Sequence, residues 1–446
     1  MNQISFGSQH RKGREEQIKR QSRDIICHAP QRWFLPFHFR LLHFAFCLLT
    51  CSYELVLRSL PFAFPACLLG LFSVPCFAQE PKPYAAINRE AVNYHGPGRD
   101  AQHDLAGPEI RIGLLAPLAG PRQAEGEDLR RAAAMAIDDV NAASPRGSRP
   151  LTLVTRDESG PWGQASSEIV HMVFDDQAVA LITSAEGGAA HLAEQVANKI
   201  GVPVLTLSTD PTTTQINLPW IFRLGPSDAA QAQAFARDIY RVRGFGRVAL
   251  ITQDDHDGRV GGEAFEKAVR EMNARAPARL VVRFDKTPVE GLVKALRDAQ
   301  AVVIWADGVT AGELVRQVRE AMPSAPLYLC RKAAQNHGSS LNQSGCRSCG
   351  NEDAGTWIAG ATGDSSIQAG FAEHYRLRFG VEPGIGAAEA YDAVRVLAAS
   401  LGQSGPNRTR LRDVLAGVSG FPGASGVISF DHAGNDLTVF PLTRLP

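Results

Sequence analysis

From residue 110 onward, apolar and polar positions alternate between two repeating patterns. Residues 110–115 form a short apolar run that ends at Pro117, Leu118, Ala119 and Gly120, as a buried strand would. Beyond it, Leu129, Ala132, Ala133, Ala136, Ile137 and Val140 recur at intervals of three and four. That is one apolar stripe on a helix, and Pro145 and Gly147 stop it. The alternation continues with predicted strands at 151–155, 179–183 and 202–207, and helices at 164–174 and 189–200. Apolar strands each followed by a helix call for a parallel sheet covered on both faces.

The pattern restarts after Pro226. A helix is predicted to about Val242, then a strand at 248–252 and a helical stripe of Phe265, Ala268, Val269 and Met272. Further strands are predicted at 280–284, 302–305 and 327–329. Gly126-Glu127 opens a helix in the first half, and Gly262-Glu263 is its expected counterpart in the second. The fold class is therefore α/β, with two similar Rossmann-like lobes side by side. The final stretch predicts helices at 367–379, 387–401 and 410–418 and short strands at 426–430 and 438–441. These fit a chain that crosses back between lobes rather than a third domain.

Composition adds a division that the periodicity does not show. The 446 residues are 44 % hydrophobic, enough for a large core, and carry 46 basic and 46 acidic side chains. That balance argues against a polyanion-binding protein, so no nucleic-acid partner is expected. Residues 1–78 hold nine basic and four acidic side chains, net +5, which leaves the remainder at −5. Residues 59–79 carry no charge, follow Arg58, and end in Cys76 and Ala78 at the spacing a signal peptidase reads. This predicts a leader over 1–78 cut after Ala78, and hence a periplasmic or otherwise extracytoplasmic protein. The competing reading is a retained membrane anchor, which Pro61, Pro65 and Pro75 weaken as a helix. Residues 79–107 read as an extended arm.

Catalytic signatures are missing. Gly244-Phe245-Gly246 precedes a strand, whereas a dinucleotide-binding loop follows one. No phosphate-binding loop, paired metalloprotease histidines or nucleophile elbow is present, and the histidines are scattered with no ligand-like pair on one helix. Five of the eight cysteines fall in the leader, and Cys330, Cys346 and Cys349 remain within 20 residues. With His337 they could hold zinc. A disulfide from Cys330 to Cys346 or Cys349 is the favoured alternative in an oxidising compartment, and free thiols are the third.

Several motifs then occur in a familiar order. Ile110 to Pro121, Gly126-Glu127 and Ala136 to Asn141 resemble the opening of the leucine/isoleucine/valine-type (type I) periplasmic solute-binding proteins of ABC transporters. Val202-Pro203, Phe222 to Gln231, Ala390 to Val394, and Gly426 to Asp431 with Gly434-Asn435-Asp436 resemble later segments of the same family. The resemblance implies two lobes joined by three hinge crossings, near residues 223–225, 350–357 and 420–426. Lobe 1 would comprise 108–223 plus 357–420, and lobe 2 would comprise 226–350 plus 426–446. A ligand would sit between them at the carboxyl ends of the strands.

The family's ligand positions fall on Glu125, on Ser184, Glu186 and Gly187, on Ser208, Thr209 and Asp210, on Asp257, and on Thr310 with Asp307 close by. Up to five carboxylates, Glu125, Glu186, Asp210, Asp257 and Asp307, would then edge the cleft. Unpaired, they would repel one another. A cationic or polyhydroxy ligand or a bound metal ion would relieve that better than an ordinary branched-chain amino acid. The plainer alternative leaves several of them facing water at loop tips. The resemblance thus implies a non-enzymatic receptor that hands a small amino-acid-like or other polar molecule to an ABC transporter permease. It implies no cofactor, and contact with a membrane only through the leader or the permease. A membrane-anchored sensing domain and an enzyme on the same fold are the alternatives.

Overall fold

The computed structural model describes residues 104–160, 163–214, 220–283, 289–335, 355–360 and 365–445. The predicted leader, all but the end of the predicted arm, and His337, Cys346 and Cys349 lie outside the described residues.

The first sheet is built from β1 (Ile110–Ala116), β2 (Leu151–Asp157), β3 (Ala180–Thr183), β4 (Val204–Thr206) and β5 (Ile221–Arg223), all parallel, in the order β2-β1-β3-β4-β5. Its strands are apolar because both faces are covered. Ile112, Leu114 and Ala116 point into one core with Ile182, Leu205 and Phe222. Leu115, Leu181, Val204 and Ile221 point into the other. This is the period-two alternation of a strand, with both sides buried. The first core is closed by α1 (Gln123–Ala143) and the second by α2 (Gln164–Phe174) and α3 (Gly187–Ile200).

The second sheet repeats the plan with β6 (Val248–Gln253), β7 (Ala278–Val282), β8 (Ala301–Trp305), β9 (Leu327–Leu329) and β10 (Thr356–Ala359) in the order β7-β6-β8-β9-β10. A final strand, β13 (Leu442–Leu445), adds antiparallel to β10. The helices of this half are α4 (Asp228–Ala236), α5 (His256–Glu271), α6 (Val289–Leu296), α7 (Gly308–Ala321) and the single turn α8 (Arg331–Ala334). A wider turn, Arg237–Val242, extends α4 to the predicted end. In each lobe the strand order reverses beside the first strand. The crevice outside the carboxyl ends at that reversal is where open α/β sheets take ligands.

The last helices, α9 (Ser365–Phe379), α10 (Ala387–Ser404) and α11 (Arg408–Ala416), return to the first lobe, where Phe371, Val394, Leu397 and Leu411 join its first core. The hairpin β11 (Phe421–Pro422) and β12 (Val427–Ile428) packs there too, through Ala424, Ile428 and Phe430.

These pairings shift three sequence readings. Trp357 pairs with Tyr328 and Arg444 inside the second sheet, so the chain leaves that lobe after Ala359 rather than at 350–357. The hairpin belongs to the first lobe, so the third crossing follows Asp436 rather than occupying 420–426. The predicted strand at 438–441 is extended loop, and pairing begins at Leu442. The first crossing does follow Arg223: its N–H donates to Gly434 O at 2.8 Å and its guanidinium to Asn435 Oδ1 at 2.6 Å, which ties the first and third crossings together. The counterpart of Gly126 is Gly258, not Gly262. A Cβ at 126 would stand 1.8 Å from Pro117 O, and one at 258 would stand 2.2 Å from Gln253 O. Both glycines let a helix start press against the end of the preceding strand. Among the described residues no helix is long and apolar enough to cross a membrane.

Candidate functional site

The loops at the carboxyl ends of the two sheets face each other, and charged side chains fill the space between them. From the first lobe come Arg122, which ends a short turn after β1, Glu125 in the first turn of α1, Glu158 after β2, and Glu186 at the start of α3. From the second come His256 and Asp257 in the first turn of α5 and Lys332 in α8. Asp255 caps α5 by accepting from Gly258 N–H at 2.7 Å, and this orients the two residues that follow it.

Lys332 carries the link between lobes. Its Nζ donates to Glu186 Oε2 at 2.7 Å and to Asp257 Oδ2 at 2.5 Å, and the residue is 4 % exposed. Burial opposes the charge on Lys332, but Asp257 and Glu186 outweigh it and raise the pKa well above the ordinary value. Arg122 forks onto Glu125 at 2.7 and 2.9 Å and reaches Glu186 at 2.9 Å and Glu158 at 3.4 Å. Burial again opposes its charge, and the three carboxylates raise its pKa regardless. Glu186 is drawn down to about 2, because Lys332 and Arg122 overcome the cost of burial. Glu158 is pushed up to about 8 by burial, against the pull of Arg122 and of the Ser184 hydroxyl, which donates to it at 2.6 Å.

A second link crosses beside the first. His256 Nε2 lies 2.6 Å from Asp210 Oδ2, and His191 Nε2, on α3, lies 3.0 Å from the same oxygen. His191 is raised to about 10 by its bonds to Asp210 and Glu194, against burial. Asp210 is held below the ordinary range: burial raises it, but the two imidazoles and Thr212 win. Arg331 pairs with Glu389 of α10 as a third contact between lobes.

The residues named from sequence divide into two groups. Glu125, Ser184, Glu186, Gly187, Asp210 and Asp257 come together in the cleft. At Gly187 the backbone itself faces the opposite lobe: its N–H points at Asp257 Oδ2 at 3.4 Å, so a carboxylate from that lobe sits at the N-terminus of α3. The others shape the walls. Ser208 Oγ accepts from Asp210 N–H at 3.2 Å, and Thr209 O accepts from Asp228 N–H at 2.7 Å. Asp307 caps α7, accepting from Val309 and Thr310 N–H groups at 2.9 and 2.8 Å. Thr310 is buried with its hydroxyl unpaired.

One expectation is corrected. The five carboxylates do not stand unpaired: none is fully exposed, Arg122, Lys332 and His191 set positive charge against those in the cleft, and His256 Nε2 lies against Asp210. The argument for a cationic ligand therefore loses its basis. Cys330 is a buried thiol with no bonded partner among the described residues, and Cys346 and Cys349, its expected disulfide partners, lie outside them. Cys330 caps α8, accepting from Ala333 N–H, its Sγ lies 3.6 Å from Ala306 O, and burial raises it to about 12. Sequence reasoning missed Arg122, Glu158, His191, His256 and Lys332. Their partners lie up to 146 positions away, and only the excess of acid over base around the loops hinted that cations must come from elsewhere.

Beside this network the first lobe has a cavity of about 440 Å³, lined by Pro117, Arg122, Glu158, Glu186, Gly188 and Leu192 among others. That lies within the roughly 300–1,000 Å³ of ligand pockets. Glu158 Oε2 and, across the cleft, Asp257 Oδ1 are buried without a hydrogen-bond partner.

Comparison with known proteins agrees with this fold. Residues 109–440 match the family model described as periplasmic binding protein. An amino acid binding protein of Pseudomonas aeruginosa is 27 % identical over 49 % of this chain and 59 % of its own length. A Leu/Ile/Val-binding protein homolog of Brucella melitensis is 29 % identical over 48 % of this chain and 58 % of its own length. The matched region thus spans less than two thirds of these curated relatives. The crystal structure of a leucine binding protein from Thermotoga maritima superposes with a TM-score of 0.66 at 19 % identity, covering 76 % of this chain and 98 % of that one.

Proposed function

The chain belongs to the periplasmic binding protein family, and from that premise we propose that it is a non-enzymatic extracytoplasmic receptor for a small zwitterion of the amino-acid class. The ligand is taken between the lobes and delivered to an ABC transporter permease. The observation that carries the reading is the mixed charge of the cleft. Arg122, Lys332 and the N-terminus of α3 offer positive charge, while Glu186 and Asp257 offer negative charge within the same space.

Lys332 and Asp257 satisfy each other in the closed arrangement described here. An entering amino acid can exchange with them: its carboxylate takes the place of the Asp257 oxygen at Gly187 N–H, and its ammonium takes the place of Lys332 at Glu186. The unpaired Asp257 Oδ1 and Glu158 Oε2 supply further acceptors. The names of the relatives support the class, since they bind amino acids. Ligand contacts to both lobes exist only when the lobes meet, so binding favours closure by its differential affinity for that state.

A thermal-shift screen of the protein against amino acids, amines, sugars and organic acids tests this. A ligand that binds the folded state raises the melting temperature by mass action. At least one amino acid should do so, and sugars and simple amines should not. Stabilisation by amines alone would contradict the reading.

A further inference from the structure

His191, Asp210 and His256 converge at the lobe interface, two from the first lobe and one from the second. Both Nε2 atoms face Asp210 Oδ2, and one ligand atom from each residue lies within 4.8 Å of the others. The imidazoles stand edge to face, with planes at 89° and centroids 5.6 Å apart, so their nitrogens converge rather than stack.

Each first-lobe group is also held from behind. His191 Nδ1 lies 2.9 Å from Glu194 Oε2, and Glu194 is 1 % exposed with its other oxygen unpaired. Asp210 Oδ1 accepts from Thr212 N–H at 2.8 Å and from its hydroxyl at 2.7 Å, which leaves Oδ2 turned toward the two rings.

We propose that these three residues form a binding site for a divalent transition-metal ion of the zinc class, with His191 Nε2, His256 Nε2 and the Asp210 carboxylate as ligands. Imidazole nitrogen and carboxylate oxygen suit such an ion. Metal–ligand bonds of about 2.0–2.2 Å set neighbouring ligand atoms about 3.3–3.6 Å apart in a tetrahedron. The observed N···O spacings of 2.6 and 3.0 Å need only a small side-chain adjustment to reach that. Glu194 behind His191 is the carboxylate–histidine–metal arrangement that fixes the ring's orientation and strengthens its nitrogen as a ligand. Three protein ligands leave a fourth position open.

His256 comes from the opposite lobe, so an ion held by all three residues binds the closed state better than the open one and shifts the population toward it. The site is independent of the organic ligand's identity, so failure of the amino-acid reading does not remove it.

Co²⁺ titration of the full chain tests the site. One equivalent should bind with the visible bands of a four-coordinate ion, and Zn²⁺ should displace it. His191→Ala and His256→Ala should each abolish the bands. Glu194→Gln should weaken binding by about tenfold to a hundredfold. Cys346→Ser combined with Cys349→Ser should leave the bands intact. The His256 side chain is 41 % exposed, so its replacement leaves the fold in place, and circular dichroism checks this. Absence of bands, bands that survive either histidine variant, or bands lost with the cysteines would each overturn the proposal.

Discussion

At Gly187 a methyl group would stand 2.4 Å from Asp257 Oδ1 and 3.3 Å from Asp210 Cβ. The contact is between lobes, so Gly187→Ala should impede closure and leave the first lobe's core intact. Ligand affinity in calorimetry should fall about tenfold or more, equivalent to about 1.4 kcal/mol. Unchanged affinity would mean that the ligand does not require the lobes to meet here. Asp228 gives a pH test. It is fully buried, and burial, with Asp257 and Asp210 nearby, pushes it up to about 8 from the ordinary 3.8. The folded chain therefore keeps a proton that the unfolded chain releases near pH 4. The stability this gives is fully present below the unfolded value and is lost as pH rises to about 8. Asp228→Asn should flatten the fall in urea stability between pH 5 and 8, and an equally steep fall would refute the assignment. At this scale the sequence was half legible. Glu186, Gly187, Asp210 and Asp257 stand at positions the resemblance marks. Lys332 and His256 look like ordinary loop charges until folding sets them against carboxylates 146 and 46 positions away.

Elements were easier to read than residues because their signals are local. α2 and β9 occupy the predicted positions, since an apolar stripe and an apolar run respectively define them. What the periodicity does not carry is which sheet a strand joins. β10 is drawn into the second lobe by pairing with Leu327 and Leu445, and no local pattern encodes a partner 89 residues away. Helix starts depend on caps as well as stripes. Asn407, fully buried, accepts from the N–H groups of Thr409 and Arg410 at 3.1 and 3.0 Å and so begins α11 two residues before the predicted start. Asn407→Ala should cost about 1 kcal/mol in a denaturation titration, within the usual range for lost caps. A change near zero would show that the cap is not what starts the helix.

The whole molecule joins two copies of one α/β plan through crossings at residues 224–227, after Ala359 and after Asp436, with Arg223 and Asn435 tying the first crossing to the third. Charges of opposite sign from the two lobes meet across the cleft, as Lys332 with Glu186 and His256 with Asp210 do, which makes the cleft, rather than either lobe alone, the binding unit. The most direct measurement is calorimetry with the amino acid that gives the largest thermal shift, on the native chain and on one variant from each lobe, Arg122→Ala and Lys332→Met. The account predicts one ligand per chain and a loss of about tenfold or more in both variants, since each removes a charge that a zwitterion would meet across the cleft. Binding that weakens in only one of the two variants would place the ligand on a single lobe and contradict the account.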